Sequence, residues 1–307
     1  MLLPMKTKYP YIAIMFLLLF SFGCTKEEGI QMTAIDMSFS PAIISNTRAS
    51  EGTYPQDTPF DVWAYYLPQG KKWSNHHQDA QSLTNKHQVQ YSSNEWLPTP
   101  AMKWPGKDDV TFMASSPQNI DAHCFSEKGI TIQNFDAGSG VLPLFTEPVA
   151  DCNVYNTHGC VALPFIHALS KIELEARSVD YTDSIIRLKH LFVDEIKYKG
   201  SFHSLPTPNW IPDEETMRVS FCQKEILVGR VAVPVGYRML MGQYGNYPVV
   251  LVVDILDKEG NTVVEDRKIK ASLVSDGWYP GKYYKYTLNL TTVSVTIETD
   301  ILERFNI

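Results

Sequence analysis

The chain has 307 residues, of which 44% are hydrophobic and 20% are charged; these values exclude a disordered protein and leave room for two domains with cores of their own. The formal net charge of −7 argues against a nucleic-acid-binding protein, because such proteins carry basic patches. Aromatic residues make up 12% of the chain, an abundance that favours β-strands.

The first 23 residues have the pattern of a secretory signal peptide. Lys6 and Lys8 precede an apolar run, residues 9–22, that is too short to cross a bilayer as a finished helix. The small residue Gly23 stands directly before Cys24, and this order resembles the bacterial lipobox. We therefore expect cleavage before Cys24, lipidation of its thiol and anchoring in the outer membrane. The alternative is an ordinary signal peptide followed by a chance cysteine.

A short tether and a candidate first strand follow. Residues 25–28, TKEE, resemble the surface-export tag of Bacteroidetes lipoproteins and are equally consistent with a solvated tether. Apolar and polar residues alternate over 30–39 with one change of phase, which predicts a half-buried strand. Pro41 is expected to end it, because proline cannot donate to a ladder. Residues 47–52, TRASEG, are small and polar, and such a segment tolerates proteolysis.

The rest of the chain is predicted to consist of strands and turns. Short apolar or alternating segments recur from residue 60 to the end, while the polar stretch 73–86 is interpreted as a loop. Residues 293–301 form the cleanest alternation. No helix of ordinary length is predicted after the signal peptide, so the expected fold class is all-β. We expect two consecutive β-sandwich domains, residues 49–160 and 161–307.

The sequence carries no motif typical of an enzyme. It has no G-x-S-x-G and no glycine-rich phosphate loop. Cys152, His158 and Cys160 lack the close ligand pairs of a zinc site; the two cysteines are either a disulfide across a short loop or free thiols. His167 lies on an apolar segment and is interpreted as a structural histidine rather than a base. We therefore expect no catalytic residues, no metal and no cofactor.

Three tryptophans leave a carbohydrate-binding alternative open. Trp73, Trp96 and Trp210 would stack on sugar rings if they were exposed, and they are equally consistent with core positions, because tryptophan is well buried on average. An exposed platform with two of these rings would favour a surface lipoprotein that binds glycans and never polymerises.

Several segments resemble the Bacteroidetes fimbrillin-like family, in the same order and over most of the chain. In the N-terminal half these are FDVWAYY (60–66), KWP (103–105) and VTFMASSP (110–117). FIHALSKI (165–172) resembles the family's mid-chain signature, and WYPGKYYKY (278–286) resembles its C-terminal signature.

This resemblance implies two transthyretin-like, Greek-key β-sandwich domains in an exported lipoprotein that is a structural subunit of type V pili with a role in adhesion. In that family an arginine-specific protease cuts the N-terminal region, and Thr47-Arg48-Ala49 matches such a site, with cleavage between Arg48 and Ala49. Residues 24–48 are then a lipidated tether and a removable first strand. The alternative for Arg48 is an uncut charge in a linker.

Strand removal has a physical consequence that does not depend on the family. Loss of residues 24–48 would leave an apolar groove with unpaired backbone groups, and such an edge accepts a strand from another chain. We predict that the terminal segment supplies this strand through Val293, Val295, Ile297 and Ile301.

The expected partners are other pilin subunits, outer-membrane lipid through Cys24, and a receptor on a host or bacterial surface. The expected location is the outer membrane and the fimbrium. Besides the glycan-binding lipoprotein, the alternatives are a fimbrial tip protein and a fimbrial anchor, of which the anchor would retain residues 24–48.

Overall fold

The computed structural model describes residues 32–44, 52–68, 70–106, 108–118, 120–179 and 184–304, without the side chains of 302–304. Strands dominate this part of the chain, and its two α-helices have four residues each. The predicted all-β fold is confirmed. Among the described residues, no helix is long and apolar enough to cross a membrane.

The N-terminal strands are short and follow one another closely. The first seven are β1 (Met32–Asp36), β2 (Ser38–Ile43), β3 (Gly52–Thr53), β4 (Phe60–Leu67), β5 (Gln81–Ser92), β6 (Glu95–Thr99) and β7 (Lys103–Pro105), with helix α1 (Trp73–His76) between β4 and β5. The next six are β8 (Asp109–Ser116), β9 (Ala122–Phe125), β10 (Gly129–Asp136), β11 (Leu144–Thr146), β12 (Val149–Cys152) and β13 (Cys160–His167), with helix α2 (Val154–Thr157) before β13.

The C-terminal strands include the longest in the protein. They are β14 (Ser170–Ser178), β15 (Ile185–Lys197), β16 (Lys199–His203), β17 (Asn209–Pro212), β18 (Thr216–Ser220), β19 (Ile226–Val228), β20 (Val233–Leu240), β21 (Gly245–Leu256), β22 (Thr262–Ser275), β23 (Lys282–Leu290) and β24 (Val295–Arg304).

Nine of the thirteen N-terminal strands form a sheet that closes on itself, while β1 pairs with β7 in a separate two-stranded sheet. The order in the closed sheet is β11-β13-β2-β6-β5-β4-β8, and β11 also pairs with β8, which completes the ring; β12 extends from β8, and β3 pairs with β2. Closure removes free strand edges and gives the inward side chains a single core. That core is aromatic, with Phe39, Phe60, Phe112 and Phe165 buried in it.

A four-stranded sheet, in the order β17-β16-β10-β9, shares a core with outward-facing side chains of the ring. Trp63 of β4 and Met113 of β8 are buried in this core with Ile132 of β10, Phe202 of β16 and Trp210 of β17. The alternation of side chains along β4 therefore serves two cores, one on each face of the strand.

The C-terminal strands form two further sheets with one core between them. Their orders are β20-β14-β23-β24 and β18-β15-β21-β22, with β19 paired to β15. Ile172 and Leu174 of β14, Leu191 and Val193 of β15 and Leu288 of β23 are buried in this core. Two sheets that bury one face each against a common core have the arrangement of a β-sandwich.

The division near Val161 stays a prediction. β13 begins at Cys160 and lies in the N-terminal ring, whereas β14 begins the C-terminal sheets. The strands β16 and β17 come later in the chain but join β9 and β10. The chain therefore returns to the N-terminal sheets after it has entered the C-terminal ones.

The prediction that Pro41 ends the first strand is wrong, because β2 continues past it. The backbone N–H groups of Ser38 and Ile44 donate toward β13, so Pro41, an odd number of residues from both, faces the opposite side. On that side β6 pairs with Phe39, and β3 pairs only from residue 42 onward. The N–H group that proline lacks falls between these two partners, where its loss is tolerated.

The interpretation of residues 81–86 as loop is also wrong, because they are the first half of β5. Gln81 pairs with Tyr66 of β4, and Thr84 pairs with Ala64. The segment is largely polar and faces solvent or is half-buried, so it carries no apolar alternation that would mark a strand. Backbone pairing with β4, rather than burial, makes it one.

We expect Phe39→Ala to lower the free energy of unfolding by about 3–5 kcal/mol, because large aromatic side chains lost from a core leave a cavity. The Phe39 ring meets those of Phe60 and Phe112 edge to face, at centroid distances of 6.4 and 5.6 Å. The matched change Ile35→Ala in β1 should cost less than about 1 kcal/mol, because about half of Ile35 is exposed. Urea unfolding of residues 24–307 measures both values. Equal losses of unfolding free energy for the two variants would contradict the burial of Phe39 of β2 in the core.

Candidate functional site

The first candidate feature is β2, which lies inside the closed ring between β13 and β6. It pairs in parallel with β13 from Ser38, opposite Cys160, to Ile43, opposite Phe165. On its other side it is antiparallel to β6 and to β3. The N-terminal segment therefore supplies an interior strand, and without it the ring has two unpaired edges.

The side chains of β2 reinforce this position. Met37, just before the strand, and Phe39 are buried in the ring core, and Ile43 packs against the same core. The next residue, Ile44, packs against the core on the other face of the sheet. Burial of side chains of this size contributes about 1.5–3 kcal/mol each, so β2 is held by apolar contacts as well as by its ladders.

The link from β2 to the body runs through residues 45–51. The lipidation residue Cys24 and the cleavage pair Arg48 and Ala49 lie outside the described residues, so lipidation and cleavage stay predictions. The strands on either side of the link are paired with each other, with Ile43 opposite Gly52. A cut within the link would break the covalent connection between β2 and β3, and β2 would then be held by its ladders with β13, β6 and β3 and by its apolar contacts.

The second candidate feature is β24, the edge strand of its sheet. It is antiparallel to β23 along its length, from Val295 opposite Leu290 to Arg304 opposite Lys282. Its other edge pairs with no strand among the described residues. An unpaired edge presents backbone donors and acceptors to any strand that approaches it.

The four residues of the predicted donor segment fall into two pairs. Val295 and Ile297 are partly buried against the C-terminal core. Val293, which precedes β24, and Ile301, near its end, are 71% and 65% exposed. The alternation thus holds the segment to its own domain through two residues and leaves two large apolar side chains in solvent.

The two signature segments, 165–172 and 278–286, contact each other where β13 passes into β14. The Ser170 hydroxyl donates to the Tyr279 carbonyl at 2.8 Å, and the Gly281 N–H donates to the Leu169 carbonyl at 3.1 Å. Residues more than a hundred positions apart thus form one joint. Hydrogen bonds between the two signature segments therefore hold β14 and the turn before β23 together.

Two tryptophans complete the joint. The indole N–H of Trp210 donates to the Ala168 carbonyl at 2.6 Å. That of Trp278 donates to the Tyr286 hydroxyl at 2.8 Å, and its ring stacks on Tyr247 at a centroid distance of 5.1 Å. Buried indole groups need such acceptors. The Trp210 bond connects β17 to the link between β13 and β14, and the Trp278 bond connects the turn before β23 to that strand.

His167 is buried beside this joint, and burial lowers the pKa of its imidazole to about 4. The side chain is therefore neutral at neutral pH. Its position inside the protein fits the structural role expected from the sequence.

The cysteines of the described region are free thiols: Cys124, Cys152, Cys160 and Cys222. Burial raises the pKa of Cys124 to about 12 and that of Cys152 to about 11, and thiols in that state are poor nucleophiles. Cys152 and Cys160 therefore do not form the disulfide that was one of the two alternatives. The described residues contain no group of His, Cys, Asp and Glu side chains that could hold a metal ion.

The three tryptophans of the carbohydrate-binding alternative do not form an exposed platform. Trp73, Trp96 and Trp210 are all buried. Trp96 lies in the ring core, whereas Trp73 and Trp210 lie in the core between the ring and the four-stranded sheet. Their burial weakens that alternative.

Sequence reasoning missed Gln243, which the fold uses as an internal strand partner. Its side-chain oxygen accepts from the N–H of Lys197 at 3.0 Å, and its amide nitrogen donates to the carbonyl of Lys197 at 3.0 Å. It also missed the exposed ring pair Tyr244 and Tyr279, which meet edge to face at 6.2 Å. Tyr279 lies within a signature segment, whereas nothing in the local pattern marks Gln243 or Tyr244.

We expect Gly281→Ala to destabilise the protein more than Gly260→Ala does. Both glycines have positive φ, 70° and 86°, so each substitution carries the left-handed penalty of about 1–2 kcal/mol. A Cβ at residue 281 would lie 2.7 Å from Ile166 Cγ2, whereas one at residue 260 meets nothing within 4 Å. The clash should add about 1–3 kcal/mol, measured by chemical denaturation. Equal destabilisation by the two substitutions would contradict the close contact between Gly281 and Ile166.

The comparisons with known proteins agree with this architecture. A family model described as fimbrillin-like matches residues 47–302. The fold is similar to that of a fimbrial protein from Bacteroides vulgatus, with a TM-score of 0.60 and 14% identity over 88% of this chain and 99% of that one. It is also similar to a candidate cell adhesion protein from Bacteroides ovatus, with a TM-score of 0.55 and 10% identity over 90% of this chain and 99% of that one. No curated protein matches the sequence significantly. Since the family match spans most of the chain, the protein belongs to the fimbrillin-like family.

Proposed function

We propose that this fimbrial, adhesin-type protein of the cell surface is a structural subunit that polymerises by strand exchange, after proteolysis has removed its N-terminal segment. The observation that carries the proposal is the position of β2. It is an interior strand of a closed sheet, and it joins the body through a link that contains Arg48. One cut in this link leaves an essential strand held by noncovalent contacts alone.

Departure of β2 creates a site that only another strand can fill. The ladder partners along β13, from Cys160 to Phe165, lose their bonds to β2. The rings of Phe60 and Phe112 lose their contact with Phe39. Unpaired backbone groups and uncovered aromatic rings in one groove favour an extended segment with apolar side chains at every second position.

The terminal segment has this pattern. Val293, Val295 and Ile297 alternate at the same two-residue spacing as Met37, Phe39 and the inward positions that follow them in β2. Two of its apolar side chains, Val293 and Ile301, are already exposed. Transfer to another subunit would bury both of them, which offsets the contacts that Val295 and Ile297 leave behind.

Lipidation of Cys24 would hold the precursor at the outer membrane until cleavage releases it. A subunit that keeps residues 24–48 would remain an anchor with its own β2 in place, whereas a cleaved subunit would join the polymer. The N-terminus of the mature protein therefore distinguishes an anchor from a polymerising subunit. The adhesive role and the surface receptor belong to the same proposal.

We expect Arg48→Ala to abolish the mature N-terminus at Ala49 and the high-mass polymer ladder on unheated gels, because the protease then lacks its arginine. N-terminal sequencing of the surface protein, together with the gel, gives both readouts. The matched control is Arg230→Ala, which changes an exposed arginine far from the link in the sequence and should leave both unchanged. A normal ladder from the Arg48→Ala protein would refute the proposal.

We expect Val293→Asp to reduce polymerisation of the cleaved protein at least tenfold while it changes the stability of the monomer by about 0.5 kcal/mol or less. The side chain is 71% exposed in the monomer, where surface substitutions have small effects. In a groove of another subunit the same carboxylate would be buried without a partner, at a cost of several kcal/mol. Size-exclusion chromatography after cleavage measures the polymer, and urea unfolding measures the monomer.

The matched control for this change is Val263→Asp, because Val263 is 65% exposed and lies on β22. It should polymerise as the unchanged protein does. If the Val293→Asp and Val263→Asp proteins polymerised equally well, the terminal segment would not be the donor strand.

A further inference from the structure

A groove of about 470 Å³ opens where the two C-terminal sheets part, between the end of β22 and the end of β24. Val274 of β22 and Ile301 of β24 are exposed at its sides, and the buried rings of Tyr284 and Tyr286 form its base. Its size lies in the range of small-molecule sites, which are mostly apolar with a few polar groups.

Two tyrosines are presented at the groove. Tyr279, which is 44% exposed, lines it, and Tyr244, which is 64% exposed, donates its hydroxyl to that of Tyr279 at 3.1 Å. The backbone of Tyr279 is fixed by its N–H bond to the Tyr284 hydroxyl, at 2.9 Å, and by the bond that its carbonyl accepts from Ser170. An exposed aromatic ring on so constrained a backbone is ordered before any ligand arrives.

The position of the Tyr244 ring beside Tyr279 requires a glycine at residue 277. A Cβ at residue 277 would lie 2.6 Å from Cε1 of Tyr244. Gly277 also lines the groove and has a φ of 125°. The turn before Trp278 therefore combines a backbone conformation and a close approach that only glycine permits.

Two charged residues are among those that line the same groove, half-buried Lys282 and exposed Asp276. Neither side chain has a hydrogen-bond or ion-pair partner within the residues that the structure describes. In contrast, Lys285 on the outer face of the same sheet pairs with Glu175 at 2.7 Å. Within the part of the chain that the structure describes, the groove thus has one donor residue and one acceptor residue without a side-chain partner, beside an exposed ring.

We propose that this groove binds a carbohydrate, with a sugar ring against Tyr279 and with sugar hydroxyls bonded to Asp276 and Lys282. A pyranose has an apolar C–H face and a rim of hydroxyls that both donate and accept. An aromatic ring flanked by one carboxylate and one ammonium complements both features. An added peptide strand would instead pair with a free backbone edge, and it would leave Asp276 and Lys282 without ligand partners.

The inference gives the adhesive part of the proposed function a ligand class. It applies to a subunit that keeps its own β24, because Thr299 and Ile301 of that strand line the groove. The probe is an array of immobilised oligosaccharides that end in galactose, N-acetylglucosamine, mannose, fucose or sialic acid, followed by titration of the strongest binder in solution. We expect Tyr279→Ala to weaken binding at least tenfold. Asp276→Asn and Lys282→Met, which preserve shape, should each weaken it severalfold.

The matched control is Tyr155→Ala, since Tyr155 is 81% exposed and does not line the groove; it should bind as the unchanged protein does. Failure of every oligosaccharide to bind, or equal binding by the Tyr279→Ala protein, would overturn the inference. So would Tyr279-dependent binding of a synthetic peptide of residues 293–301 without any sugar. The Arg48→Ala protein should bind sugars normally, which separates this site from strand exchange.

Discussion

The closed N-terminal sheet depends on one short strand near the start of the chain. β2 lies between β13 and β6 and places Phe39 against Phe60 and Phe112. The other ring strands all come from later in the chain, after the link at residues 45–51. After one backbone cut in the link, β2 would be held to the body by noncovalent contacts alone. This constraint is the physical basis of the strand exchange that we propose.

The joint between the signature segments connects residues that lie far apart in the sequence. Ser170 and Leu169 bond to residues of the turn at Tyr279 and Gly281. Trp210 bonds to the same connection from β17. Strands of three different sheets therefore meet at a few backbone groups.

The two edges of the β20-β14-β23-β24 sheet differ in a way that bears on association. β20 contains Pro234, its pairing with β14 shifts register after Leu174, and Gly236 lies against the backbone of Phe221. These features prevent another strand from pairing with this edge of the sheet. β24 pairs with β23 in regular register from Tyr283 onward, so its outer side is a regular edge. The sheet is thus protected at one side and available at the other.

The local sequence pattern predicted many of the strands but few of their pairings. The alternation of apolar and polar residues predicted β14, β15 and β24, because each of these strands has one face in a core. This alternation is visible in the sequence even when the neighbouring strand is unknown. It missed the polar half of β5, whose order comes from pairing with β4. It also misjudged Pro41, since whether a missing N–H matters depends on which neighbour faces it.

The candidate sites divide in the same way. By itself, the sequence determined the all-β class, an apolar terminal segment with period two and an arginine in a short polar link, because composition and spacing are local properties. The tertiary structure decided that β2 is interior, that Trp73, Trp96 and Trp210 are buried, and that Val274, Tyr279 and Ile301 border one groove. These facts arise from contacts between residues far apart in the chain, and no local pattern encodes which strands become neighbours.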